Sequence, residues 1–145
     1  MTAALTEPED LLALRDAIVT LLTEAGAFPK TLQQLRAEKD SLPEYYTEVT
    51  VIARYAERIR VNGNTPILPF RAYTRIVASA EDTVYDLMRR VDGAMRGATV
   101  TVGDYSSTPF RHETSDVPDV GKNSTWEALV SWTSSRTQRR KVPTP

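Results

Sequence analysis

Between residues 45 and 78 the chain keeps a period of two, and that stretch most limits what the whole can fold into. Tyr45, Thr47, Val49, Val51, Ala53 and Tyr55 share one parity, while Tyr46, Glu48, Thr50 and Arg54 take the other, interrupted by Ile52. Alternation of this kind marks a strand with one face buried. Residues 70–78 repeat it, with Phe70, Ala72, Thr74, Ile76 and Ala78 set against Arg71, Tyr73, Arg75 and Val77. Two such runs in succession predict an antiparallel hairpin. Asn62-Gly63-Asn64 supplies a turn between them, and Pro66 and Pro69, which lack an N–H, argue against regular pairing at its base. The expectation is a long, partly irregular arm over about 54–70. From Val51 to Ala78 it carries Arg54, Arg58, Arg60, Arg71 and Arg75 against one acid, Glu57. An arm longer than a small core requires, and this basic, reads as a surface for something outside the domain.

Helices flank the hairpin. Thr6 and Glu9 form a capping box with Pro8 in the first turn, and Leu11, Leu14, Ile18, Leu21, Leu22 and Ala25 recur at helical spacing until Gly26 stops them. Leu12 and Val19 lie off that stripe and predict a second contact, within the domain or with a neighbouring subunit. Residues 27–40 read either as a short helix or as a polar loop pinned by Leu32 and Leu35, and Pro43 bars a helix from continuing. After the hairpin, Val84, Leu87, Met88, Val91 and Met95 form one helical face, with Ser79 as the expected cap, Asp82 three residues on, and Gly93 or Gly97 at the end. The methionines read as core filler.

Residues 99–105 predict a third strand with Val100 and Val102 inward, and residues 110–114 a weaker fourth. Residues 115–124 read as a loop. Trp126, Ala128, Val130 and Trp132 alternate with Glu127, Leu129, Ser131 and Thr133 in a last strand. Residues 135–145, polar, basic and proline-tipped, read as a flexible tail. The resulting fold class is α+β: a single domain over 1–134 with a mostly antiparallel, mixed sheet backed by two main helices, and a long protruding β-hairpin arm.

A chain of 145 residues buries about two thirds of its unfolded surface. It holds no cysteine, so disulfides, thiolate chemistry and cysteine-based zinc sites are excluded. Residues 1–10 have neither a basic nor an apolar leader region, and no apolar run approaches membrane-spanning length. The sequon at Asn123 is read as coincidental. Net charge is −1 but unevenly placed: residues 1–50 hold four basic and nine acidic side chains, residues 51–97 eight and five, and residues 98–145 six and five. Unlike patches on one domain suit head-to-tail self-association.

Catalytic equipment is sparse. The single histidine, His112, cannot build a multi-histidine metal site, and as a general base it would need Asp104 or Asp116. Gly121-Lys122-Asn123-Ser124 lacks the first glycine of a phosphate loop and precedes a strand, not a helix. Acid pairs at Glu9/Asp10 and Glu81/Asp82 are explained by helix N-termini. The arm and the basic residues of 136–141 invite phosphate contact, but a near-neutral charge and the lack of any recognition motif argue against specific nucleic-acid reading. No enzyme, metal or cofactor is expected.

Several segments together resemble one family. They are Leu-Arg-Asp-Ala-Ile-Val at 14–19, Pro-Glu-Tyr-Tyr at 43–46, the long basic arm, and Arg-Ala-Tyr-Thr-Arg-Ile-Val at 71–77 running into Ala-Glu-Asp-Thr-Val-Tyr-Asp-Leu-Met at 80–88. In this layout the chain resembles the tail terminator (tail-completion) proteins of long-tailed phages, over roughly residues 11–132. The resemblance implies a structural virion protein of the tail or neck, assembled in the host cytoplasm. It implies a homo-hexameric ring that caps the tail tube, meets the tube protein on one face and a head-tail connector or stopper on the other, and lies near DNA without specificity or membrane contact. Ring contacts are then expected to pair Glu9, Asp10 and Asp16 of one subunit with Arg54, Arg58, Arg60, Asn62, Arg71 and Arg75 of the next. A stopper or adaptor of the same neck, or a nucleic-acid-binding accessory domain, are the alternatives.

Overall fold

The computed structural model describes residues 6–54, 59–61, 65–103, 105–120 and 125–138, with backbone alone at 6–10, 59–61, 65–68, 105 and 136–138. Its order is α1 (Thr6–Glu24), β1 (Pro29–Thr31), α2 (Leu32–Ala37), β2 (Tyr45–Ala53), β3 (Ile59–Val61), β4 (Thr65–Ala78), α3 (Glu81–Met95), β5 (Thr101–Val102), β6 (Tyr105–Ser107), β7 (Arg111–Ser115), β8 (Asp119–Val120) and β9 (Trp126–Gln138). It is an α+β domain with a mixed sheet: β1 runs parallel to β2 and every other described pairing is antiparallel. The spine is β2-β4-β9. β3 extends β4 into the arm, and β7, β8 and β6 share the far edge of β9.

The two-residue alternation sets the faces. Thr47 and Val49 of β2, Phe70, Ala72, Thr74, Ile76 and Ala78 of β4, and Ala128, Val130 and Trp132 of β9 are buried on one side. There they meet Leu14, Ile18 and Leu22 of α1 and Val84, Leu87, Val91 and Met95 of α3 in one cluster, with Phe110 closing its end. Val19 and Met88 pack against this cluster, whereas Leu12 is exposed. Gly26 ends α1 at φ 70°, and Arg90 of α3 donates to its carbonyl at 2.9 Å. The undecided segment is helix α2, capped reciprocally by Thr31 and Gln34. It covers part of the opposite sheet face through Leu35, which packs with Tyr46 and Val77.

Five expectations change. The cap of α3 is Ala80, not Ser79, with no side-chain hydrogen bond, so Glu81 and Asp82 support that end through the helix dipole alone. The single strand expected over 99–105 is instead the hairpin β5–β6, because Gly103 turns the chain at φ 57°. The loop over 115–124 contains β8, paired to the start of β9. Pro66 and Pro69 lie inside β4: Pro66 opposes Arg60 of β3, and Pro69 opposes Ser135 where the other flank of β4 passes from β3 to β2. A proline is tolerated where a ladder changes partner and needs no N–H. Finally, β9 runs past residue 134 to Gln138, since Leu68 of β4 and Tyr105–Ser107 of β6 supply its backbone partners. The rest of the expected tail, 139–145, lies outside the described residues, as does the turn at 62–64.

Candidate assembly interface

The sheet face turned away from α1 and α3 is only partly covered, by α2, and it carries the charge. Odd-numbered residues of β4 point to it, so Arg71, Tyr73 and Arg75 stand in a row on the central strand. The register puts Glu48 of β2 directly opposite Arg75. Arg75 Nη1 donates to Glu48 Oε2 at 3.2 Å, and Nη2 donates to Glu127 Oε1 on β9, so one guanidinium bridges three strands. Burial lowers the pKa of Arg75, but Glu127 and Glu48 outweigh it and hold the group above its ordinary value. Tyr46 is pushed up by burial, with Arg75 opposing.

Arg71 makes the second pair. Its Nη2 donates to Glu113 Oε2 at 2.7 Å, its Nε lies 2.7 Å from Oε1, and Nη1 donates to the Tyr73 hydroxyl at 3.3 Å. Ser131 Oγ donates to Glu113 Oε1 at 3.0 Å. The pair is thus held by one charge-assisted hydrogen bond, while Nε lies close to the carboxylate without making a hydrogen bond to it. The hydrogen bond from Arg71 holds the Glu113 carboxyl below the usual range, and burial opposes it. A carboxyl depressed in the fold stabilises above its unfolded value and ceases to do so as protons bind. Stability from Glu113 is therefore present at neutral pH and is lost as pH falls below about 5. Glu113→Gln is expected to shallow the acid limb of the urea midpoint between pH 6 and pH 3. Parallel limbs for the two proteins would refute this.

The structure distributes the remaining expected contact residues unevenly. Arg54 follows β2 and lies near enough to Glu113 to lower its pKa. Arg60 is in β3, opposite Pro66, with its side chain outside the described residues; Arg58 and Asn62 lie wholly outside them. Glu9 and Asp10 are in the first turns of α1, their side chains likewise undescribed. Asp16 is exposed on the same helix and accepts from Arg15 Nε and Nη2 at 3.2 and 3.0 Å. Thr47 Oγ1 donates to Ala27 O, just past the end of α1, while Leu11, Leu12 and Arg15 line a recess with Val49, Thr50 and Val51. The acidic start of α1 thus points toward the arm's base, on the opposite face of the sheet from Arg71 and Arg75.

Glu48, Glu113, Glu127, Tyr73 and Ser131 were absent from the residues expected at this surface. Their signal in the sequence is an outward parity rich in both signs, but which acid meets which arginine depends on register between distant strands. His112 has a modest role: its Nε2 shares a hydrogen bond with Ser115 Oγ, and its ring packs edge-on to Trp132 at 5.5 Å. Asp116 uses its backbone N–H to pair with Leu129, and Asp104 lies outside the described residues. Among the described residues no group of three His, Asp or Glu side chains is placed to hold a metal, and no helix is long and apolar enough to cross a membrane.

No family model matches this sequence, and no curated protein matches it. Its fold has a counterpart among solved structures. The chain superposes on a chain of the virion of a native gene transfer agent (GTA) particle with a TM-score of 0.64, covering 86% of this chain and 94% of that one at 8% identity. At that identity the likeness is one of fold.

Proposed function

We propose that this protein is a structural virion protein that ends growth of a phage tail tube and joins it to the head. The carrying observation is the fold shared, nearly end to end, with a chain from a virion particle. The layout of helix, basic hairpin and helix supports the same reading, as does a sheet face furnished with arginines and carboxylates. Six copies in a closed ring would make every contact heterologous, so the surface that gives and the surface that receives must differ. Arg58, Arg60 and Asn62 at the arm, with Arg54, are assigned to the giving surface, and Glu9, Asp10 and Asp16 of the next subunit to the receiving one. Arg71 and Arg75 already hold carboxylates of their own chain, so their part is to keep the face rigid beside the arm. The ring's two faces would then meet the tube protein and the head-side connector, with DNA passing nearby. No catalysis is assigned to it.

The test is electron microscopy of particles made when the gene is deleted. Overlong or ragged tails, with filled heads left separate, are expected. Tails of normal length without heads would move the protein to the connector side as a stopper or adaptor, and normal virions would overturn the reading. A nucleic-acid-binding role would instead show as tight, steeply salt-dependent gel shifts.

A further inference from the structure

The uncovered face of the sheet differs between its two ends. At the end where β4 finishes and β9 begins, two shallow recesses flank the Arg75–Glu127 pair. Asp116 and Asp119 line one of them together with Val117, Val120 and Leu129, and Glu44 lies in the other beside Leu42 and Pro43. Val117 is 79% exposed, Val120 55% and Leu42 48%, an unusual showing of apolar side chains within one small patch. The only arginine here, Arg75, is committed to Glu48 and Glu127, so among the described residues the patch is apolar with an acidic balance. Further along β9, about 20–25 Å from Glu127 at ~3.3 Å per residue, Arg54 and Arg111 line a recess with Thr133, Ser134 and Ser135. β9 continues past it to Gln138, and the sequence goes on as Arg139-Arg140-Lys141-Val142-Pro143.

We infer that the Val117–Val120 patch is a docking site for the basic segment 139–143 of a second copy of this chain. Charge and chemistry match: three consecutive cations meet the exposed carboxylates Asp116 and Asp119, and Val142 and Pro143 meet exposed valines. Reach decides that the contact is between chains. Lys141 lies three residues beyond Gln138, about 10 Å at full extension, whereas Glu127 is eleven residues back along the strand. No conformation of this segment returns its cations to their own patch while β9 persists. The contact rests on self-association and not on a place in the tail, so it stands or falls separately from the terminator reading.

The probe is a synthetic peptide of residues 138–145, titrated into the full-length protein and followed by backbone amide shifts. Shifts centred on residues 116–120 are expected, together with affinity that falls as salt rises. Asp116→Lys with Asp119→Lys, both exposed and outside the core, is expected to weaken binding about tenfold, and Val117→Ser to weaken it without changing the salt dependence. A peptide carrying glutamate at 139–141 should bind the doubly reversed protein better than the wild type. Unchanged affinity in the reversed protein, shifts confined to the Arg54 end, or no binding at all would each overturn the inference. The absence of native cysteine allows a second measurement: mixed Val117→Cys and Val142→Cys proteins should form a covalent heterodimer on oxidation, and a Leu12→Cys protein should not form one with Val142→Cys. A yield no higher than with Leu12→Cys would count against it equally.

Discussion

Trp132→Ala is expected to destabilise the domain by about 3–5 kcal/mol, a large share of the roughly 5–15 kcal/mol by which folded domains are stable. Trp132 is fully buried in the middle of β9, where it fills the space between the sheet and α3. Its indole also has a polar duty. Nε1 donates to Thr74 Oγ1 at 3.2 Å, and that hydroxyl donates to the Val130 carbonyl at 2.9 Å, so β4 and β9 are tied from inside the core. Two variants separate volume from hydrogen bonding. Thr74→Val keeps the packing but leaves a buried indole N–H without an acceptor, at a cost of about 1–3 kcal/mol. Thr74→Ser restores the acceptor and loses only a methyl group. Urea midpoints should rank wild type, Ser, Val and then Trp132→Ala, with unchanged slopes. A Thr74→Val protein as stable as wild type would show that the bond contributes nothing.

The second large effect concerns assembly. Arg58→Glu combined with Arg60→Glu is expected to abolish ring formation while leaving the folded monomer intact. Neither residue belongs to the core cluster, so circular dichroism and the urea midpoint should match wild type. In the proposed ring, reversal would replace attraction by like-charge juxtaposition at every subunit contact, and such juxtaposition costs several kcal/mol per interface. Tails made with the variant should look like those made without the protein. Rings of normal number and appearance would remove the arm from the subunit contact, leaving the patch at residues 116–120 as the candidate for holding copies together.

Ion pairs on the open face, that of Glu113 included, add only modestly to stability. Arg75 remains 41% exposed and Glu113 27%, and pairs this wet contribute little each. Their effect is geometric: with Arg75 tied to strands on both sides, β2, β4 and β9 keep their spacing where the apolar patch is displayed.

What could be read directly from the residues was which side of each long strand and helix faces the core. Alternation at 45–53 and 70–78 placed Val49, Phe70 and Ile76 inward and Arg71 and Arg75 outward, because side-chain direction in a strand follows from parity alone. The stripe from Leu14 to Leu22 and that from Val84 to Met95 placed both long helices on the core for the analogous reason. Tertiary structure decided the rest. Glu48 is 27 residues from Arg75 in the chain and Glu127 is 52, and no local rule brings three strands into that register. Residues 135–138 are polar and read as a tail, yet they are strand because β4 and β6 offer them backbone partners. Pro69 reads as a breaker, yet it sits within β4 because the ladder on that flank changes partner there. Periodicity assigns a residue to a face; only pairing between distant segments decides what it meets on that face, and the candidate interface is made of such meetings.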